Sequence, residues 1–410
     1  MHATIVALSI TSFWFFSPES LVLVGNGAGG AGVGIMVLLL FAAVSLVSVS
    51  HTGNGTADDL VKEKHTLVTI LRFRDIAGLA GIIGTAVFAP TGILVTAGFT
   101  FNEVFYYRFP NFAFAYLLLV VVLGLQFLPS KVRINVLSIS VMVCFAGLLL
   151  LTVYGLLAKP AESVSSVSIN GSLSRYLPLL LVFIGMDQAR FILREDKKTF
   201  KQVFFVSVLL LAGWMFVSSR FVESEKLISS TIPYMTAAGR IAGNDGRLIM
   251  GMVIIFGTIG AVYGLMYVCN SYVYRPLRLQ RRPGMDKIVF VMLSLLIGVL
   301  MGTGVAGTTE LELYIRSSLV LWLISSAMST LSAAIKCISS KPFQAGIAMI
   351  SGCIILLGSL ILFFNQKELL KATIFTSSTI AASVLLIIVS NLIGGYNGLQ
   401  KTKIINNTEV

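Results

Sequence analysis

Runs of about 20 apolar residues, each long enough to cross a bilayer as an α-helix, recur along the whole chain between short polar loops. This alternation predicts about twelve membrane spans. The predicted spans are Ala3–Val24, Val33–Ser50, Ile76–Phe105, Phe112–Phe127, Ile134–Leu157, Tyr176–Leu193, Val203–Phe221, Leu248–Val273, Ile288–Thr303, Leu313–Ile335, Phe343–Phe364 and Ala372–Leu392. The expected fold class is therefore an all-α polytopic membrane protein.

Two of the spans contain residues that interrupt an apolar helix. In the first span Pro18 and Glu19 lie between two serines, and in the sixth Gly185 comes two residues before Asp187. Buried acids in a span mark a cavity or an ion path, and a broken helix is tolerated only where protein or water satisfies its backbone. Transporters build substrate sites at such breaks. The predicted substrate-binding residues are Phe16, Ser17, Pro18, Glu19, Ser20, Phe183, Ile184, Gly185, Met186 and Asp187.

Glu19 and Asp187 are the candidate proton-coupling groups of this site. Two acids without a cationic residue near the membrane midplane favour a positively charged substrate or proton coupling. Two alternatives stay open. Glu19 could pair internally within a helix kinked by Pro18, and Asp187 could serve only as the N-terminal cap of the second half-helix.

Composition agrees with the spans and limits the class of protein. Of the 410 residues 56% are hydrophobic and only 12% are charged, which excludes an ordinary soluble domain. The net charge of +12 comes from Lys and Arg in short loops, most of them on one predicted side of the membrane. This bias predicts a protein of the cytoplasmic membrane with both termini in the cytoplasm, and it favours membrane lipids over nucleic acid as the partner of the basic loops.

Other motifs predict no cofactor, no metal site and no catalytic residue. Gly25-Asn-Gly-Ala-Gly-Gly matches a dinucleotide fingerprint, but its flanks are apolar spans, so we interpret it as a small-residue contact between helices. The three histidines have no neighbour at ligand spacing, and the four cysteines lie in or near apolar spans and are expected in the core. Leu227–Gly239 is expected to be a surface loop or a short helix, interrupted by Pro233, that forms an extracellular lid.

Several segments resemble the amino acid–polyamine–organocation family of transporters. The similar segments are Ser130-Lys-Val-Arg-Ile-Asn-Val-Leu-Ser, Phe183-Ile-Gly-Met-Asp, Pro233-Tyr-Met-Thr-Ala-Ala-Gly-Arg and Asn270-Ser-Tyr-Val-Tyr-Arg-Pro-Leu-Arg. The resemblance implies a five-plus-five inverted-repeat fold, like that of the leucine transporter, with repeats at 1–157 and 176–335 and two extra helices at 343–394. The family's glycine-rich segment in span one is replaced by Phe16-Ser-Pro-Glu-Ser, so the chain is identified as a divergent member.

The expected function is secondary active transport of a small amino acid, an amine or polyamine, or a related metabolite by alternating access, as a proton-coupled carrier or an exchanger. Two alternatives remain open at this point. One is a ligand sensor that has a transporter fold but moves nothing, and the other is a polytopic membrane enzyme.

Overall fold

The computed structural model describes residues 14–30, 32–51, 65–160, 175–186, 197–274, 277, 284–338 and 341–407. Within these ranges the regular structure is helical. A 3-10 helix spans Leu177–Phe183 and lies between α5 and α6. The α-helices are α1 Pro18–Ala28, α2 Gly32–His51, α3 His65–Val104, α4 Asn111–Phe127, α5 Ser130–Leu157, α6 Lys197–Phe221, α7 Ser224–Ser229, α8 Pro233–Val273, α9 Met285–Gly302, α10 Thr309–Cys337, α11 Pro342–Phe364 and α12 Leu369–Asn407.

Nine helices in the described part of the chain are long and apolar enough to cross a membrane. They are α2, α3, α5, α6 and α8 to α12, and α4 is a shorter apolar helix of 17 residues. The first and sixth predicted spans do not appear as single long helices among the described residues. The chain leaves its helical path at the two interrupted segments, and residues 1–13 and 187–196 lie outside the described ranges.

The segment predicted to be a lid or a surface loop is instead packed into the protein. Pro233 does not interrupt a helix but begins α8, where its missing N–H is not needed. Leu227 and Tyr234 are fully buried. The expectations of a surface loop and of an interruption at Pro233 were wrong, because apolar side chains of this segment contact the protein core. The lid itself stays a prediction. A later kink in α8, at Ala242 and Gly243, separates this outer part from the rest of the helix.

Three long helices form the centre of the bundle. α10 packs against α3 and α11, while α8 packs against α3 and α5. The short helix α1 lies among α6, α7, α8 and the 3-10 helix. Its surroundings include some of the largest fully buried side chains in the described core, among them Phe15, Phe16 and Trp214. The two interrupted segments therefore lie in the interior of the bundle.

The outer helices present apolar side chains away from the protein. α5, α9, α11 and α12 are the least buried of the candidate spans. Exposed residues such as Leu157, Phe343 and Leu370 would form unfavourable apolar patches in water, but they are compatible with the hydrocarbon core of a bilayer. Cys353 is also exposed on α11, so the expectation of a core position is wrong for this cysteine, whereas Cys144 and Cys269 are buried.

Candidate substrate site at two helix breaks

The first break lies between Phe15 and Pro18. Trp14 and Phe15 are helical, the chain then turns at Phe16 and Ser17, and α1 begins at Pro18. The Ser17 hydroxyl accepts a hydrogen bond from the Ser20 backbone N–H at 3.1 Å and donates one to the Trp14 carbonyl at 2.8 Å. Serine is a favoured N-cap, and proline is favoured at the first helical position. This short segment therefore ends one helix and starts the next.

The second break follows the 3-10 helix. Ile184 is extended, with φ −63° and ψ 146°, and Gly185 has a φ of +83°. A side chain at position 185 would be strained in this left-handed conformation, so glycine suits the turn. Met186 is buried beyond it. Asp187, the acid predicted to act here, lies outside the described residues.

The two breaks lie side by side although they are far apart in sequence. The indole Nε1 of Trp14 donates a hydrogen bond of 3.0 Å to the carbonyl of Leu181, 167 positions away. The rings of Phe15 and Phe183 meet edge to face at 5.8 Å between centroids. Phe204 of α6 completes this aromatic cluster, at 5.9 and 6.0 Å from the two rings. Buried hydrogen bonds and aromatic pairs of this kind fix the relative position of the two segments.

Helices α5, α8 and α10 form other walls of this region. The Phe16 ring contacts that of Phe145 on α5 at 4.8 Å. On α8, a Cβ added at Gly257 would collide with the Phe16 carbonyl oxygen, so glycine permits a direct approach of the helix to the first break. On α10, the Trp322 ring lies 3.8 Å from where a Cβ of Gly185 would be. The breaks are thus enclosed by protein.

Glu19 is the charged residue of the first break. It is half-buried in the first turn of α1 and lies within electrostatic reach of Arg316 and Glu312 on α10. The nearby Ser20 hydroxyl oxygen is buried and has no hydrogen-bond partner among the described residues. A buried hydroxyl without a partner costs free energy, which a polar ligand or a water molecule could recover.

A cavity of about 350 Å³ opens beside the breaks, and a molecule of a few heavy atoms would fit in it. It lies between the 3-10 helix, α10 and the end of α11, at the end of the bundle that the Lys/Arg distribution predicts to be outside. Its lining residues are Arg175, Pro178, Leu181, Arg316, Val320, Leu362, Asn365 and Gln366. Leu181 connects this cavity to the breaks, because its carbonyl accepts the Trp14 hydrogen bond.

The structure brings together both groups of predicted site residues, with the exception of the undescribed Asp187. Phe16, Ser17, Pro18 and Ser20 are buried at the first break, as are Phe183, Ile184 and Met186 at the second. The sequence interpretation did not include the surrounding Trp14, Phe145, Phe204, Gly257 and Trp322, whose apolar character does not distinguish them from other core residues. Arg316 could have been found, because it is an ionisable residue inside a predicted span.

The glycine-rich segment after the first break makes close helix contacts. A Cβ at Gly25 would lie 2.5 Å from the Pro233 side chain of α8, and one at Gly30 would collide with the Tyr176 ring. The prediction of small-residue contacts agrees with this packing. The predicted partner α2 is in close contact, at Gly34. The sequence did not indicate the other two partners, α8 and the start of the 3-10 helix.

Comparison with protein-family models finds no match, and comparison with curated protein sequences finds none either. Solved structures of the manganese transporter of Eremococcus coleocola are similar in fold. Two variant forms superpose with TM-scores of 0.53 and 0.54, at 11% and 12% identity, over 95% of this chain and 94% of theirs. A complex of that transporter with an aromatic bis-isothiourea substituted compound gives a TM-score of 0.52 at 12% identity. The chain is therefore a multi-pass membrane protein with a transporter fold.

Proposed function

We propose that this chain is a secondary active transporter that moves a small amino acid, an amine or polyamine, or a related metabolite by alternating access. The observation that carries the proposal is the pair of adjacent helix breaks, joined by the Trp14–Leu181 hydrogen bond. Membrane helices break where freed backbone groups meet protein or a substrate cavity, and two breaks in contact provide such a site from two helices.

The position of the breaks supports an inverted repeat. We propose a first repeat over residues 1–157, a second over 176–335 and two additional helices over 343–394. The first break lies near the start of the first unit, and the second break lies near the start of the second. Repeats related by a pseudo-two-fold axis in the membrane would bring such corresponding breaks together. We infer on this basis that the chain is a divergent relative of the amino acid–polyamine–organocation transporters.

Glu19 is the group to which we assign the substrate cation or the coupling proton, with Asp187 as its counterpart from the second break. The half-buried Glu19 side chain lies next to a break lined by phenylalanine rings, including Phe16 and Phe183. A carboxylate beside aromatic faces favours an ammonium group by charge attraction and by cation–π contact. This arrangement supports an amine-bearing substrate, an exchanged amine or a proton.

The test is uptake into proteoliposomes, with labelled amino acids and amines supplied under an imposed pH gradient. Glu19→Gln should abolish uptake, or remove its dependence on pH, while the variant folds and elutes like the wild type. Glu103→Gln is the matched control, because Glu103 is an exposed acid at the end of α3. Uptake by the Glu19 variant with the wild-type rate and pH dependence would contradict the assignment.

The same experiment separates transport from the rival functions. A sensor would bind a compound in a thermal-shift screen but show no flux, since ligand binding alone stabilises the folded state. Manganese is included as a substrate because the structural neighbours transport it. Among the described residues no group of three or more His, Cys, Asp or Glu could hold a metal ion. The proposal favours an organic amine because phenylalanine rings line the break beside Glu19.

We place the protein in the cytoplasmic membrane, with both termini in the cytoplasm. The Lys/Arg bias of the loops supports this orientation. Under it, the cavity beside Arg316 faces outward, and the loop 275–287 faces the cytoplasm. Thiol labelling of single-cysteine variants in intact cells tests the orientation. Labelling of a cysteine at position 282 by an impermeant reagent added outside would overturn it.

A further inference from the structure

The cavity next to the breaks has a lining that the cation site at Glu19 does not explain. Two of its lining residues, Arg175 and Arg316, carry positive charge, and two others, Asn365 and Gln366, carry side-chain amides. None of the described residues that line it is acidic, although Glu312 pairs with Arg316 beside it. A cavity with guanidinium and amide donors and without acids is suited to a negatively charged group.

One amide of this cavity has an unused donor. The Ser317 hydroxyl donates to Gln366 Oε1 at 3.2 Å, which orients the amide. The Gln366 Nε2 is buried and has no hydrogen-bond acceptor among the described residues. A buried donor of this kind costs free energy until an acceptor reaches it. An anion in the cavity would supply that acceptor.

Arg316 already contacts a carboxylate of its own helix. Its guanidinium pairs with Glu312, one turn earlier on α10, and both side chains are about half exposed (48% and 57%). Exposed pairs at this spacing contribute little to stability, so a second carboxylate can displace Glu312 at small cost. The pair therefore shows that the Arg316 guanidinium can bind a carboxylate at the edge of the cavity.

The rest of the lining distinguishes an organic anion from an inorganic one. Pro178, Leu181, Val320 and Leu362 form apolar walls, and the volume of about 350 Å³ accommodates several heavy atoms. Guanidinium groups bind carboxylates through two parallel hydrogen bonds, while apolar walls accept a hydrocarbon body. Leu181 adjoins the breaks, and Arg316 lies within electrostatic reach of Glu19.

We propose that this cavity is a second, outer binding site that takes the carboxylate of a small organic acid through Arg175 and Arg316, before the molecule reaches the breaks. That the bound acid is also the transported substrate rests on the proposed function. If the bound acid is the transported substrate, that substrate carries both a carboxylate and an amine. It is then neither a polyamine nor a metal ion.

The test measures binding of propionate to the purified full-length protein by calorimetry at low ionic strength, with propylamine and chloride as comparison probes. Arg316→Gln should raise the Kd for propionate about tenfold or more, because a charge-assisted bidentate contact is lost. Glu312→Gln should lower it about threefold, because the competing carboxylate is removed. If the Arg316–Glu312 pair were merely structural, both substitutions would weaken propionate binding. Opposite changes in the Kd for propionate therefore identify Arg316 as a group that binds the ligand.

Arg108→Gln is the matched control for the change in net charge. Arg108 is exposed in the loop between α3 and α4 and does not line the cavity, so its variant should bind propionate like the wild type. Equal weakening in the Arg108 and Arg316 variants would overturn the proposal. So would wild-type binding by Arg316→Gln, or chloride binding with the same dependence on Arg316.

Uptake measurements distinguish failure of this site from failure of the proposed function. Propionate binding that depends on Arg316, without uptake of any compound, would retain the site and refute transport. Uptake that depends on Glu19, with propionate binding indifferent to Arg316, would retain transport and refute the site.

Discussion

Gly257→Ala tests directly whether α8 contacts the first break. The Cβ added by this substitution would collide with the Phe16 carbonyl oxygen and would lie 3.2 Å from its carbonyl carbon. Phe16 cannot withdraw easily, because it is fully buried and its ring packs against Phe145. The obstacle is backbone and not the end of a flexible side chain, so relief requires a shift of the helix or of the break.

The expected magnitude follows from comparison with a glycine that has free space. A Cβ at Gly124, in the last turn of α4, meets nothing within 4 Å. Both substitutions gain helix propensity, up to about 1 kcal/mol for alanine over glycine in a helix interior, and most of this gain cancels in the comparison. What remains is overpacking at position 257, which costs about 1–3 kcal/mol. Gly257→Ala should therefore be less stable than Gly124→Ala by this amount.

The assay is thermal unfolding of both purified variants in the same detergent, followed by proteoliposome uptake. The Gly257 variant should unfold about 2–6 °C below the Gly124 variant and should lose substrate uptake, because the first break is displaced. Equal unfolding temperatures together with wild-type uptake by the Gly257 variant would refute the reasoning. The close approach of α8 to the break would then have no consequence for stability or function.

Three further substitutions test the breaks and their surroundings. Asp187→Asn should abolish uptake while the protein stays folded, because asparagine caps a helix about as well as aspartate; retained uptake would reassign Asp187 to a helix cap. Gly29→Val should lower the folded yield measured by size exclusion, because its Cβ would lie 2.7 Å from an isoleucine of α7, whereas Gly32→Val has open space and should not. Trp14→Phe should lose about 0.5–1.5 kcal/mol of stability through its lost hydrogen bond, in addition to the lost ring area. Trp214→Phe, whose Nε1 has no partner among the described residues, controls for ring area; equal thermal shifts in the two variants would contradict this role of Trp14.

The positions of most of the apolar helices in the described part of the chain, and of the two interruptions, could be predicted from the sequence. The ends of helices such as α2, α4, α5 and α11 lie within a few residues of the predicted bounds. Membrane crossing depends on the length and polarity of one continuous segment, so neighbouring residues contain most of the information. The breaks near Pro18 and Gly185 can also be predicted from neighbouring residues. Each break depends on the conformational properties of one residue type and on the polar residues beside it.

Only the tertiary structure decided which segments meet. The contact between Trp14 and Leu181 joins residues 167 positions apart, and no periodicity along the chain indicates it. The burial of Leu227 and Tyr234 and the outer cavity beside Arg316 likewise depend on helices that come together from distant parts of the chain. Apolar residues facing lipid and apolar residues facing other helices look alike in sequence, because both environments exclude water. The choice between them is made by packing, which brings the two breaks together and leaves a cavity beside them.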